Sequence, residues 1–172
     1  KTRNGEWRIF EKYRKETVKP KTLWTETEFI SEQGTNLLRE LGLGEKFQFP
    51  KPLKLIERIL EIATDKDSLV LDSFAGSGTT GHAVLGMNRD DGGNRHFILV
   101  EMEQAIAEKV TAKRLHKVVK GYVTEGERVA GTGGGFQFLR LDTTLFDAEG
   151  NISESVKYLD LARYVFFTEA QK

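Results

Sequence analysis

The feature that most constrains this chain is a change of period across residues 69–87. Leu69-Val70-Leu71 is a short continuous apolar run, the pattern of a strand buried on both faces of a parallel sheet. Asp72-Ser73-Phe74-Ala75-Gly76-Ser77-Gly78-Thr79-Thr80 follows, and residues 79–87 then read as a helix. The glycines therefore fall in a strand-to-helix turn. There the backbone approaches a ligand closely, and the unpaired N–H groups of the first helical turn favour negative charge.

The flanking residues repeat this alternation. Leu53, Ile56, Ile59, Leu60 and Ala63 lie three and four apart on one helical face, and Pro52 suits the start of that helix because its missing N–H would be unpaired there. A strand over 68–72, a helix over about 78–88, a turn at Asp90-Asp91-Gly92-Gly93-Asn94 and a strand over 96–100 ending at Glu101 come next. A long helix over about 103–120 carries Ile106, Val110, Ala112 and Leu115 inward. Helix, strand, helix, strand, helix calls for parallel strands joined by crossovers, so the expected fold is α/β with a doubly wound, mostly parallel sheet and flanking helices.

Outside this core the pattern is weaker. Thr35-Asn36 reads as the cap of a short helix stopped by Gly42 and Gly44, a connector. Residues 126–135 read as a flexible glycine loop, residues 136–141 as a further strand, and Leu159, Leu161, Ala162, Val165 and Phe166 as a last helix. The expected organisation is an arm and connector at 1–46, an α/β core at 47–142 and a helical extension at 143–172.

Charge and composition exclude several functions. Lysine plus arginine and aspartate plus glutamate both number 26, so no global basic signature points to nucleic acid. The exception is local: eight basic residues between Lys1 and Lys21 are interleaved with Trp7, Phe10 and Tyr13, a composition suited to phosphate contact and base stacking or to a solvated arm. With no cysteine there is no disulfide framework, thiolate metal site or cysteine nucleophile. His82, His96 and His116 lack ligand spacing and read as ordinary surface or helix histidines, so no metal is expected. No apolar run approaches the roughly 18 residues that span a bilayer, and a soluble cytoplasmic protein is the expectation.

Residues 76–81, Gly-Ser-Gly-Thr-Thr-Gly, satisfy the dinucleotide fingerprint, and Glu101 lies 20 positions beyond Gly81, which makes NAD a competitor. Asp72 argues against it. A carboxylate at the strand end repels a pyrophosphate, whereas the sulfonium and ammonium of S-adenosylmethionine are attracted to it. A carboxylate at Glu101 accepts both hydroxyls of a ribose. The loop lacks the Gly-Lys-Ser/Thr ending of a P-loop.

Phe-Pro-Lys-Pro (49–52), the loop (72–80) and the strand ending at Glu101, taken in order, resemble the N6-adenine and N4-cytosine DNA methyltransferases. Ser31-Glu32-Gln33-Gly34-Thr35-Asn36-Leu37-Leu38 and Gly-Thr-Gly-Gly-Gly-Phe (131–136) look like the modification subunit of type III restriction-modification systems, over roughly residues 20–170. The resemblance implies a partial Rossmann-like fold that binds S-adenosylmethionine. Asp72, Phe74, Gly76 and Gly78 would border its methionine portion, with Ala75, Ser77 and Met102 in the same contact set. Thr79 and Thr80 would hold the carboxylate, Lys51 and Pro52 would flank that end, and Glu101 would hold the ribose hydroxyls. It further implies double-stranded DNA as substrate of the full-length bacterial protein, a restriction subunit and a homodimer as partners, and amino-methylation of adenine more than cytosine. One element departs from the family. Its Asp-Pro-Pro-Tyr catalytic motif needs adjacent prolines, and Pro20, Pro50 and Pro52 are the only prolines here. The expectation is a cofactor-binding part, inactive alone, with a non-catalytic nucleic-acid or partner-binding module as the alternative.

Overall fold

The computed structural model describes residues 19–170, so the aromatic and basic arm lies almost entirely outside the described residues. Described residues through Phe136 form one compact unit and those from Gln137 a second.

In the first unit α1 (Ser31–Glu40) precedes α2 (Leu53–Ala63), β1 (Leu69–Asp72), α3 (Thr79–Asp91) and β2 (His96–Leu99). A composite helix then runs through α4 (Gln104–Ile106), a π turn (Ala107–Thr111) and α5 (Ala112–Lys120), and a hairpin of β3 (Gly121–Thr124) and β4 (Glu127–Ala130) closes the unit. The helix–strand alternation expected over residues 53–120 is present, and the molecule is α/β with a small parallel sheet. β1 and β2 pair in parallel, Leu69 opposite His96 and Asp72 opposite Leu99.

Helix α3 is the hub. Thr79, Gly81, His82, Ala83, Val84, Leu85 and Gly86 are all buried, because the helix meets α2 on one side, α5 on another and the sheet on a third. Leu60 of α2 packs with Ala83 and Val84, backed by Val70 and Phe97 from the strands. Removing one such leucine from water contributes about 2 kcal/mol. Helix α2 ends at Thr64, whose hydroxyl and N–H both donate to Leu60 O (2.7 and 2.9 Å). On the far side of the sheet Leu69 (64% exposed), Leu71 (63%) and Ile98 are uncovered. The apolar run of β1 is thus buried on one face only, and a two-stranded sheet is not the doubly wound one expected.

Several local expectations are corrected. Helix α1 begins at Ser31, four residues before the expected cap, and Asn36 sits inside it, where its side-chain oxygen accepts from Arg39. It is a core element rather than a connector: Leu38, Leu41 and Leu43 are buried against Val110. Among the described residues 136–141 carry no strand; the strand pair lies earlier, where Tyr122 faces Val129. Its two-residue turn is Glu125-Gly126, both at positive φ (48° and 84°), the geometry that matches the twist of paired strands. The supposed flexible loop is partly β4. Beyond it, the N–H groups of Thr132 and Gly133 donate to Val118 O and Val119 O near the end of α5 (2.9 and 3.2 Å).

In the second unit a short bridge joins Phe146 to Ile152, and α6 (Tyr158–Ala170) carries the expected last helix. Tyr164 of α6 meets Phe146 edge to face at 5.5 Å, yet α6 has no buried residue. No helix among the described residues is long and apolar enough to cross a membrane.

Candidate ligand loop

The loop leaves β1 at Asp72 and enters α3 at Thr79, and carboxylates from both strand ends tie it down. Asp72 Oδ1 accepts from Phe74 N–H (3.1 Å) and Oδ2 from the Thr80 hydroxyl (2.6 Å), so one side chain holds the loop's entry and exit. Glu101, just past β2, accepts from Gly76 N–H (2.8 Å) and from Glu103 N–H (2.9 Å). The backbone continues the parallel ladder into the turn through Val100 N–H to Asp72 O and Ala75 N–H to Val100 O. Gly78 caps α3 at φ 76°, a left-handed conformation that costs an L-residue about 1 kcal/mol or more, and a Cβ there would also press on Thr111 Cγ2 at 3.0 Å. Phe74 (84% exposed) and Met102 (87%) stand uncovered beside the two strand ends.

The Lys-Pro element is seated next to the helix start. Lys51 is exposed, Pro52 is buried, and the Thr79 hydroxyl lies 3.4 Å from Lys51 O. A side chain at Gly34 of α1 would collide with Pro50 O and come within 2.9 Å of the Lys51 carbonyl carbon, which gives the Ser31–Leu38 segment its reason for a glycine. Phe49 holds φ 58°, an uncommon conformation for an aromatic residue, at the turn that delivers Lys51.

Beneath the loop lies a polar layer that the sequence reading missed. Arg114, from α5, is 0% exposed, and one of its terminal nitrogens donates to Ser77 Oγ (3.0 Å), Thr79 Oγ1 (2.9 Å) and Ser77 O (3.4 Å). Its Nε donates to His82 Nδ1 at 3.3 Å, and its other terminal nitrogen has no partner among the described residues. Burial lowers the guanidinium to about 10, which leaves it cationic at neutral pH. Burial first, and then the nearby Arg114 and Arg89 charges, push His82 down to about 3, so the imidazole is neutral and accepts that hydrogen bond. Thr111, the last residue of the π turn, donates from its hydroxyl to Gly76 O (2.6 Å). A π turn inserts an extra residue per turn, and such turns mark functional positions often.

A signal for these residues existed. Val110, Thr111, Arg114, Leu115 and Val118 share one helical stripe and are all buried, so Arg114 is a charge on an inward face. His82 is a buried helix histidine, while His96 and His116 are exposed. Among the described residues no group of three or more histidines and acids is placed to hold a metal. A surface cavity of about 460 Å³ lies between Trp24, Phe29 and the Lys54–Arg58 side of α2, and none of the expected ligand residues lines it.

Residues 1–114 match the N6/N4 methyltransferase family, described as DNA methylase. The chain is 33% identical over 167 residues to the Mod subunit of the type III restriction-modification enzyme EcoPI from Escherichia phage P1, covering 90% of this chain and 25% of that protein. It is 41% identical over 95 residues to the StyLTI Mod subunit of Salmonella typhimurium strain LT2, covering 55% and 15%. The type II methyltransferase M.KpnI of Klebsiella pneumoniae is 40% identical over 89 residues, covering 52% and 21%. The chain thus spans a quarter or less of the length of these relatives.

Proposed function

The chain belongs to the N6/N4 family of DNA methylases, and from that premise we propose that it is the S-adenosylmethionine-binding part of a type III modification methyltransferase. One observation carries the reading: a glycine loop bracketed by Asp72 and Glu101 at the carboxyl ends of two paired parallel strands, running into the N-terminus of a buried helix. Open parallel sheets take their ligands at that edge.

The residues fit the methyl donor chemically. Asp72 and Glu101 are acceptors for its cationic and hydroxyl groups, and Phe74 and Met102 are exposed apolar surface beside them. S-adenosylmethionine, when bound, supplies an electrophilic methyl group on sulfur. Every contribution of this chain is binding and orientation: the loop amides are fixed by Thr111 and Glu101, and Lys51 and Pro52 stand at the start of the helix that follows them. The full protein would extrude a base from double-stranded DNA, methylate its exocyclic nitrogen, adenine N6 before cytosine N4, and act as a homodimer beside a restriction subunit.

This chain has no Asp-Pro-Pro-Tyr motif and is proposed to be inactive alone. The uncovered apolar side chains Leu69, Leu71 and Ile98 support that, since such a surface is ordinarily covered by another layer. Calorimetry of the full-length protein tests the cofactor: S-adenosylmethionine binds the wild type and not Asp72→Ala, and NAD binds neither. Absence of wild-type binding sinks the reading, and NAD binding moves the loop to the dinucleotide class. Methylation of duplex DNA by the isolated 172 residues would overturn the inactive-part proposal.

A further inference from the structure

Arg114 is a buried cation with no anion bonded to it among the described residues. Its partners are Ser77, Thr79 and His82, all neutral, and no ion pair among the described residues includes it. Burying a charge without a counterion is costly unless something offsets it, and among the described residues one terminal nitrogen is left without an acceptor. The charge is bonded to Ser77 and Thr79 at the first turn of α3, a helix of 13 residues whose N-terminal N–H groups carry partial positive charge at the same end. Asp72 and Glu101, the carboxylates that tie down the loop, are engaged with Thr80, Phe74, Gly76 and Glu103 instead.

We propose that Arg114 is a positioning residue for the ligand's anionic end: a concealed positive charge that fixes the Ser77 and Thr79 hydroxyls and makes the start of α3 select a ligand bearing a carboxylate. It rests on the reading of the loop as an S-adenosylmethionine site and adds to it the source of the selectivity. Arg114 is too buried to touch the ligand itself. It acts through the two hydroxyls and through its field, which low local polarity leaves poorly screened.

The test separates charge from structural support. Titrating the full-length protein with S-adenosylmethionine and with decarboxylated S-adenosylmethionine, which differ only in the carboxylate, gives a ratio of dissociation constants. The wild type is expected to favour the carboxylated ligand at least tenfold. In Arg114→Gln and Arg114→Met the ratio falls to within twofold of unity while the decarboxylated ligand keeps its affinity. Arg114→Lys, which keeps the charge, keeps most of the ratio. Neutral replacements of a buried, uncompensated charge at similar length are commonly tolerated, and thermal melting of each variant verifies folding. A wild type that binds both ligands equally overturns the inference. So does a variant series in which both ligands weaken together, since that is what a purely structural arginine does. A wild type that binds neither ligand overturns the cofactor reading itself, so the two failures are told apart.

Discussion

The two faces of the small parallel sheet carry similar side chains and meet opposite fates. On the inner face Val70, Phe97 and Leu99 lie against α2, α3 and α5, in a layer where Leu60, Ala83, Val84 and Leu115 are buried. On the outer face Leu69, Leu71 and Ile98 meet solvent. The strands are apolar on both sides, yet only one side is packed within this unit. The difference teaches where the unit draws its stability and where it offers surface to something else, and it can be attacked from either side.

The largest effect belongs to a charge forced into the inner layer. Val84→Asp is expected to remove more than about 4 kcal/mol and to abolish the cooperative urea transition, because the carboxylate has no partner there. A titration probes the same layer without mutation. The folded pKa of His82 is depressed to about 3 from 6.5, so the unfolded chain binds the proton more readily. Its stabilising contribution is fully present above pH 6.5 and is lost as pH falls toward 3, on the order of 5 kcal/mol at most. Urea midpoints measured from pH 7 to pH 4 should fall, and more steeply in the wild type than in His82→Gln. Leu60→Ala should cost about 2–4 kcal/mol by the same measurement, through lost burial and the cavity left behind.

Smaller effects mark the border between the faces. Thr80→Val keeps shape but removes the hydroxyl that donates to Asp72, and should cost about 1–2 kcal/mol. Leu71→Gln on the outer face should change stability of this unit by no more than about 0.5 kcal/mol in chemical denaturation. A large loss there would show the outer face to be packed after all and would erase the comparison.

The alternation of helices and strands from Pro52 to Lys120 was legible because its signals are local: periodicity, a proline at a helix start, glycines in a turn. Terminal details were less so. The start of α1 was misplaced because Thr35-Asn36 has the side chains of a cap, and tertiary packing of Leu38 against Val110 outweighed that preference. The β3–β4 hairpin was hidden because Gly126 looked like part of one long glycine loop, when it closes a two-residue turn. The glycine turn between Asp72 and Thr79 stands where its local pattern placed it, but the side chains that support it were not foreseen. The helical stripe marks Thr111 and Arg114 as inward-facing, but the atoms they hold lie 35 to 37 residues away, and that pairing is beyond the reach of any local pattern.

The sequence by itself therefore determined that an apolar strand ends in Asp72, that a glycine turn follows, and that a helix begins at its end, because each depends on neighbours a few residues apart. It also determined the family, because those motifs stand in their characteristic order. Only the tertiary structure decided that the first two turns of α3 are buried, that one sheet face is left open, and that a cation without an ion-pair partner among the described residues lies beneath the loop. Those outcomes depend on which surfaces meet across the fold, and burial, rather than residue type, sets Arg114 apart from the solvated lysines of the same helix.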